Sequence, residues 1–525
     1  MKIITRITSA IAVSTLITWC LAGVASAVVY DWTNTAGGAW SDAGNWSPAG
    51  GPPGIADDVE FDLGSTTYRV LVGPGDNALN VKPRGGGSTI TFDMGGAAFT
   101  NTGPGDYDIG ADPASTVYIT NGTMRSADRF RVCSGGDDRK TTLIVTNGGR
   151  VSYVGPCGTG GGRRGFPNLI IATPSDSSNP AWSGGAGGFE LGTGHPNQTI
   201  GTATLQVVNG AFMQAGQIRI AARYRGMVAI ALVSGAGSEF REISSSCAIG
   251  GGGEGFMVVS NGGFMDFRAR LNIGDWFNAS NVGAGDALVT GAGSKMVVGR
   301  PTSNPYACLI GIRETAGIRS TGRVTVVDNA LFLHISEDNS APISRMEIGT
   351  NGLVSIDNAV VVSTTNTIQI KGGAIQGNGT VTGNVEVLLP GSYIDPGGFN
   401  ATDPHGGTFG SWHAPDTFGT LNIVGDVTFS AGTAYKCFAD ASNEDLLAVV
   451  EEVDASGAWT LEVSGSPGSR TFIVATASNF TAAVVANATV TGLPTHTLVL
   501  LNDGSGAESL QLQAIPSAGT VITTK

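Results

Sequence analysis

Trp40 and Trp46 stand six residues apart in the stretch AWSDAGNW, and Asp57, Asp58, Glu60 and Asp62 follow after a Gly/Pro run. Rings with an apolar face beside carboxylates are one way to hold a sugar, so Trp40 and Trp46 are candidate stacking residues. Cleaving a glycosidic bond asks for more: two carboxyl groups facing each other about 5–9 Å apart. The four acids flank an alternating strand, DDVEFDL, and face no coil surface that the sequence defines. Glu451 and Glu452 fall in a loop of the C-terminal region. Calcium repeats of the Gly-Gly-x-Gly-x-Asp kind do not recur. No Gly-x-Ser-x-Gly, phosphate loop, zinc-ligand set or dinucleotide fingerprint is present. His405 and His413, eight residues apart in DPHGGTFGSWHAPD beside Asp403 and Asp416, could hold a metal. So loose a spacing reads better as a surface loop. No catalytic residue, metal or cofactor is assigned.

Arginine is the better clue. Arg131, Arg219 and Arg270 each fall nine or ten positions after the asparagine of an Asn-Gly turn, while Arg241 and Arg268 fall seven after their turn residues. If the units carrying them stack, the side chains gather on a face, and like charges one unit apart require a compensating anion. Asp128, Glu239, Glu242 and Asp266 lie in the same phrases and are the local answer. The sharper reading makes Arg131, Arg219 and Arg270 a groove for an acidic polysaccharide, or for the acidic end of another copy. Their neighbours Phe130/Val132, Ile218/Ile220 and Leu271 alternate with them as inward-facing residues would, which points the arginines outward.

The units that would position these groups are visible as a repeated phrase. VYITNGTMRSADRFRV (117–132), LIVTNGGRVSYVG (143–155), LQVVNGAFMQAGQIRIA (205–221) and MVVSNGGFMDFRARLNIG (257–274) share one form. An alternating strand runs into an Asn-Gly turn and a second alternating strand follows. Most neighbouring turns are separated by roughly 23 to 29 residues, a stacked-repeat period. Residues 156–200 read as an excursion that breaks the rhythm. A hairpin array would use the same turn, and a sandwich array or propeller is a further alternative. The preferred fold is all-β, a parallel β-helix of about ten to fifteen coils, because one helix-free unit cannot bury its apolar face alone. The expected divisions are a leader at 1–27, a cap with the first coils at 28–115, repeats at 116–400 and a β-rich C-terminal region at 401–525. In this scheme Trp32, Trp40 and Trp46 cover the open edge of the first coil. That lid is the preferred reading of the tryptophans, and sugar stacking is the alternative.

IQIKGGAIQGNGTVTGNVEVLLPGSYIDPGG (368–398) and GTLNIVGDVTFSAGTAYKC (419–437) resemble the C-terminal part of autotransporter-type passenger repeats. YDWTNTAGGAWSDAGNWSPAG resembles the N-terminal segment of secreted proteins with autotransporter-associated β-strand repeats. The resemblance implies a right-handed β-helix at or outside the cell surface, often adhesive or matrix-forming. The terminal AIPSAGTVITTK departs from the family pattern, since it lacks the alternating lipid-facing strands of a translocator barrel.

Composition agrees with strands and turns: the chain has 80 glycines in 525 residues, and 14% of it is charged. A basic start, an apolar run and Ala25-Ser26-Ala27 describe a cleavable secretory leader, so a secreted protein is expected. No later stretch is apolar enough to cross a bilayer as a helix. Residues 121–325 carry a net +7 and residues 326–525 a net −14, within a total of −13. The acidic total argues against a nucleic-acid partner. Five cysteines follow the leader, too odd a set for a disulfide framework. Cys133 and Cys157 occupy similar places in consecutive units, so the spacing predicts that they approach. The expected function is a non-enzymatic surface, matrix or adhesive component. The alternative is a carbohydrate-active protein, either an acidic-polysaccharide lyase or a glycan-binding module.

Overall fold

The computed structural model describes residues 27–515 apart from 84–85, 102–106, 110–114, 134–139, 160–165, 186–187, 193–200, 222–225, 245, 275–282, 300–307, 312–313, 316–317, 336–344, 365–366, 398–417 and 503–506. The leader, save Ala27, and the His405/His413 loop lie outside the described residues. Strands dominate, and Ala482–Ala486 is the one α-helix among the described residues.

A single turn of the pattern shows how the chain is laid down. Thr89–Asp93 belongs to a first stack of strands, Ala98–Asn101 to a second and Tyr107–Ile109 to a third. The chain then returns to the first stack at Ser115–Thr120, in parallel register with Thr89–Asp93. Gly122–Ser126 and Phe130–Val132 repeat the second and third steps, again parallel to their predecessors. From Tyr107–Ile109 to Asn479–Phe480 the third stack forms a 14-stranded sheet. The first and second stacks are joined into one 32-stranded sheet, because Gly352–Ser363 and Ala374–Thr382 each run through both. The strands on either side of an Asn-Gly turn therefore pair with other coils and not with each other. The hairpin alternative fails on that point.

Alternation places the core. In Ser115–Thr120 every second residue is buried, so Val117 and Ile119 point inward while Thr116, Tyr118 and Thr120 point out. Strands of all three stacks contribute in this way to one apolar cluster running from Trp32 to Leu512. Each fully buried Val, Ile, Leu or Phe is worth about 1.5–3 kcal/mol relative to exposure.

The stacks run on through two places where the repeated phrase lapses. Residues 156–200 hold a whole coil: Cys157–Thr159, Phe166–Ile171, Trp182–Gly184 and Gly188–Leu191 all join their stacks in register. Its corner between the first and second stacks, residues 172–181, is long and lacks Asn-Gly, which hid the repeat. The stacks also continue past 401, where Thr420–Val424 pairs with Ala374–Thr382 and Ala434–Ala439 with Tyr393–Pro396.

Antiparallel strands close both ends. Trp46–Ser47 lies antiparallel on Val29–Trp32, which starts a parallel run with Asp58–Phe61 and Asn80–Pro83. At the far end Glu508–Ala514 pairs antiparallel with both Phe472–Ala477 and His496–Asn502. An exposed parallel edge would otherwise be a template for other chains.

Candidate functional site

The third stack has short strands, and its one central outward position per coil forms a single row. Arg131, Gly158, Glu190, Arg219, Ala248 and Asn272 follow one another along it. Phe130, Val132, Ile218, Ile220 and Leu271 on either side are buried. Arg131 and Arg219 thus share a row, three coils apart. Arg270 lies on the same stack but two residues earlier along its strand, where its Nε donates to Asn272 Oδ1 at 2.9 Å.

Counter-charges are built into this surface. Arg219 pairs with Glu190 of the preceding coil, both groups being mostly covered. Glu190 is an acid that sequence reading did not single out. It sits in FELG, within the coil mistaken for an excursion. Arg241 and Arg268 belong to the second stack and form a separate cluster. Asp266 accepts from Arg268 Nε at 2.7 Å and lies 3.2 Å from Arg241 Nε, while Arg241 also pairs with Glu239 and lies over the Phe212 ring. Burial pushes the Glu239 carboxyl above its ordinary range, and the neighbouring Arg241 opposes that shift. Of the local acids expected from sequence, Glu239 and Asp266 partner the second-stack arginines. Glu242 is fully buried and accepts from Ser244 N.

Further along, the third-stack row changes sign. Glu347 is held between Arg345 at 2.9 Å and Lys371 at 3.0 Å. Beyond Lys371 the third-stack strands carry Glu386, Glu452 and Asp454 and no Lys or Arg. Amides and hydroxyls satisfy these carboxylates: Gln369 donates to Glu386, Asn479 to Glu452 and Thr481 to Asp454. Asp426, just before its strand, accepts from Asn384 Nδ2 at 3.3 Å.

The tryptophans are inside. Trp32, Trp40 and Trp46 are 1%, 1% and 4% exposed, packed edge to face with centroids 4.8–4.9 Å apart, and Trp46 Nε1 donates to Trp40 O at 2.7 Å. Neither Trp40 nor Trp46 presents a face on which a sugar could stack, which corrects that alternative. The nearby acids have structural partners. Asp57 Oδ2 accepts from Gly54 N at 2.9 Å, and Lys82 Nζ reaches Asp58 at 3.2 Å and Glu60 at 3.9 Å.

The cysteines do not bridge. All five are buried and none is in a disulfide, and Cys157 lies opposite Phe130, three residues before Cys133. About 3.3 Å per residue carries that offset past the 7 Å limit for a disulfide. Burial raises the Cys157 and Cys247 thiols well above their ordinary range and pushes Cys308 up to about 12. These are inert core residues. Among the described residues no group of three or more His, Cys, Asp or Glu is placed to hold a metal, and no helix is long and apolar enough to cross a membrane. No family model matches the chain, and neither does any curated protein.

Proposed function

We propose that this is a secreted, right-handed parallel β-helix of the autotransporter-associated repeat type, working as a non-enzymatic surface, matrix or adhesive component. The observation that carries the reading is the shift of charge along the third stack. Arg131, Arg219 and Arg270 lie in its first half with Glu190 against Arg219, while beyond the Arg345–Glu347–Lys371 cluster the strands carry Glu386, Glu452 and Asp454. A long face of opposite ends suits lateral association of copies, or contact between its arginine half and an acidic polysaccharide. The carboxylate half makes a second copy the better partner, because each molecule carries both complements.

Sedimentation of the secreted chain tests this at low and high salt. Association is expected at low ionic strength and should fade as the screening length falls to about 8 Å near 0.15 M. The triple variant Arg131→Gln, Arg219→Gln, Arg270→Gln should remain monomeric with unchanged circular dichroism. A parent that is monomeric at every salt concentration and binds no acidic glycan would end the proposal. Cell fractionation tests the location separately, and retention in the cytoplasm would contradict it.

A further inference from the structure

A different face holds a cleft formed by described residues. On the first stack, Asp286, Arg323, Leu353, Ala374 and Tyr393 occupy one outward row on successive coils. Their sizes alternate in a telling way. A charged pair stands at one end and an aromatic ring at the other, while Leu353 and the nearly covered Ala374 keep the middle low. The resulting hollow is about 440 Å³. From Arg323 to Tyr393 is three coil steps, or about 14 Å at the usual strand spacing.

The backbone beside this row is closely held. Gly322 and Gly352 are register partners, Gly373 precedes Ala374, and an inward Cβ on the three would come within 2.3, 2.3 and 2.5 Å of backbone oxygen. The next corner is pinned as well, since Gly372 N donates to Ser392 Oγ at 2.6 Å, and Ser392 Oγ donates to Ile370 O at 3.0 Å. The walls are therefore set by a rigid backbone. At one wall Arg323 Nε lies 3.8 Å from Asp286 Oδ1, and the two side chains keep 29% and 20% of their surface exposed. At the other, Lys436 Nζ lies 3.8 Å from the Tyr393 ring centroid. That contact occupies one face of the ring and holds its plane, while the ring still lines the cleft.

We infer that this cleft binds a neutral polysaccharide, one pyranose packing on Tyr393 and vicinal hydroxyls of a unit further along the same chain meeting Asp286 and Arg323. The flat floor and open ends admit a chain, and the aromatic ring offers an apolar surface to a sugar face. The Asp–Arg pair supplies an acceptor and donors side by side, as adjacent hydroxyls require. Charge selects against a uronate. Asp286 already sits against Arg323, and Asp395 and Glu462 both lie close enough to Tyr393 to act on it electrostatically, so a carboxylate on the ligand would meet like charge at both ends of the cleft. It does not involve the third-stack arginines, so it stands or falls separately from the association proposed above.

Affinity electrophoresis of the full secreted chain tests it, with mixed-linkage β-glucan, galactomannan and dextran as neutral probes and polygalacturonate as the acidic comparison. At least one neutral polymer should retard the protein, and high salt should leave that retardation unchanged. Tyr393→Ala and Arg323→Gln should each weaken it about tenfold, whereas Tyr393→Phe should keep it. Leu353→Trp, which fills the hollow from an outward position, should abolish retardation without altering circular dichroism. The inference is overturned if no neutral polymer retards the parent. It is also overturned if retardation is confined to polygalacturonate, or if Leu353→Trp and Arg323→Gln bind as the parent does.

Discussion

Two kinds of corner glycine look alike in sequence and do opposite things. Between the first and second stacks the chain turns through Asn121, Asn147, Asn209 and Asn261, all at φ between 48° and 57°, and Gly148, Gly210 and Gly262 follow at φ between 72° and 80°. At Gly148, Gly210 and Gly262 space is ample: a Cβ on Gly262 would find nothing nearer than 3.6 Å, and the left-handed backbone is the requirement there. Gly149 and Gly263, next in the chain, are contact glycines instead, since a Cβ would come within 2.0 Å of Ile119 O and 2.4 Å of Val233 O. Between the third and first stacks the problem is again contact. Gly255, Gly285, Gly322 and Gly352 form a register ladder. A Cβ on Gly285 would sit 2.2 Å from Ile249 O and 2.4 Å from Gly274 N. One kind of glycine bends the chain, and the other lets two coils touch.

That distinction is open to attack by substitution in neighbouring coils. Gly285→Ala should be the most damaging, because the nearest atoms are backbone and cannot swing aside. A loss of about 3 kcal/mol is expected, read as a lowered urea midpoint together with faster amide exchange in Ala284–Thr290. Gly262→Ala meets no clash and carries only the left-handed penalty, about 1–2 kcal/mol. If Gly262→Ala proved the worse of the two, the steric account of the third corner would be wrong.

How much of this was legible beforehand follows the same division. The Asn-Gly corner announces itself, because few residue types tolerate positive φ and asparagine is conspicuous among them. The strands, their inward residues and the coil period followed from it. The contact corner is silent: Gly285 in AGDALV reads as an ordinary turn glycine, and only the neighbouring coil reveals what it touches. The coil at Cys157–Leu191 was lost for want of an Asn-Gly signal, and Glu190, the partner of Arg219, was lost with it. The cleft was illegible for a related reason. Asp286, Arg323 and Tyr393 are 37 and 70 residues apart in the chain and meet only because five coils share one register. The tryptophan cluster could be assigned to an end of the stack from position alone, but burial was needed to show that no ring face is free.

The smallest expected effect is also the sharpest test of the bending corner. Asn261 sits at φ 53°, and its Nδ2 donates to Ser234 Oγ at 3.0 Å on the preceding coil. Replacing it with glycine relieves the left-handed penalty, since glycine has no Cβ to clash. Against that gain stand the lost exposed hydrogen bond and the greater freedom of the unfolded glycine chain. These terms oppose each other, and Asn261→Gly should shift stability by no more than about 0.5 kcal/mol. Asn261→Ala keeps the backbone penalty and still loses the hydrogen bond, so it should fall clearly below Asn261→Gly in urea unfolding. Equal losses for the two variants would mean that the amide ladder between coils, and not the backbone angle, holds this corner.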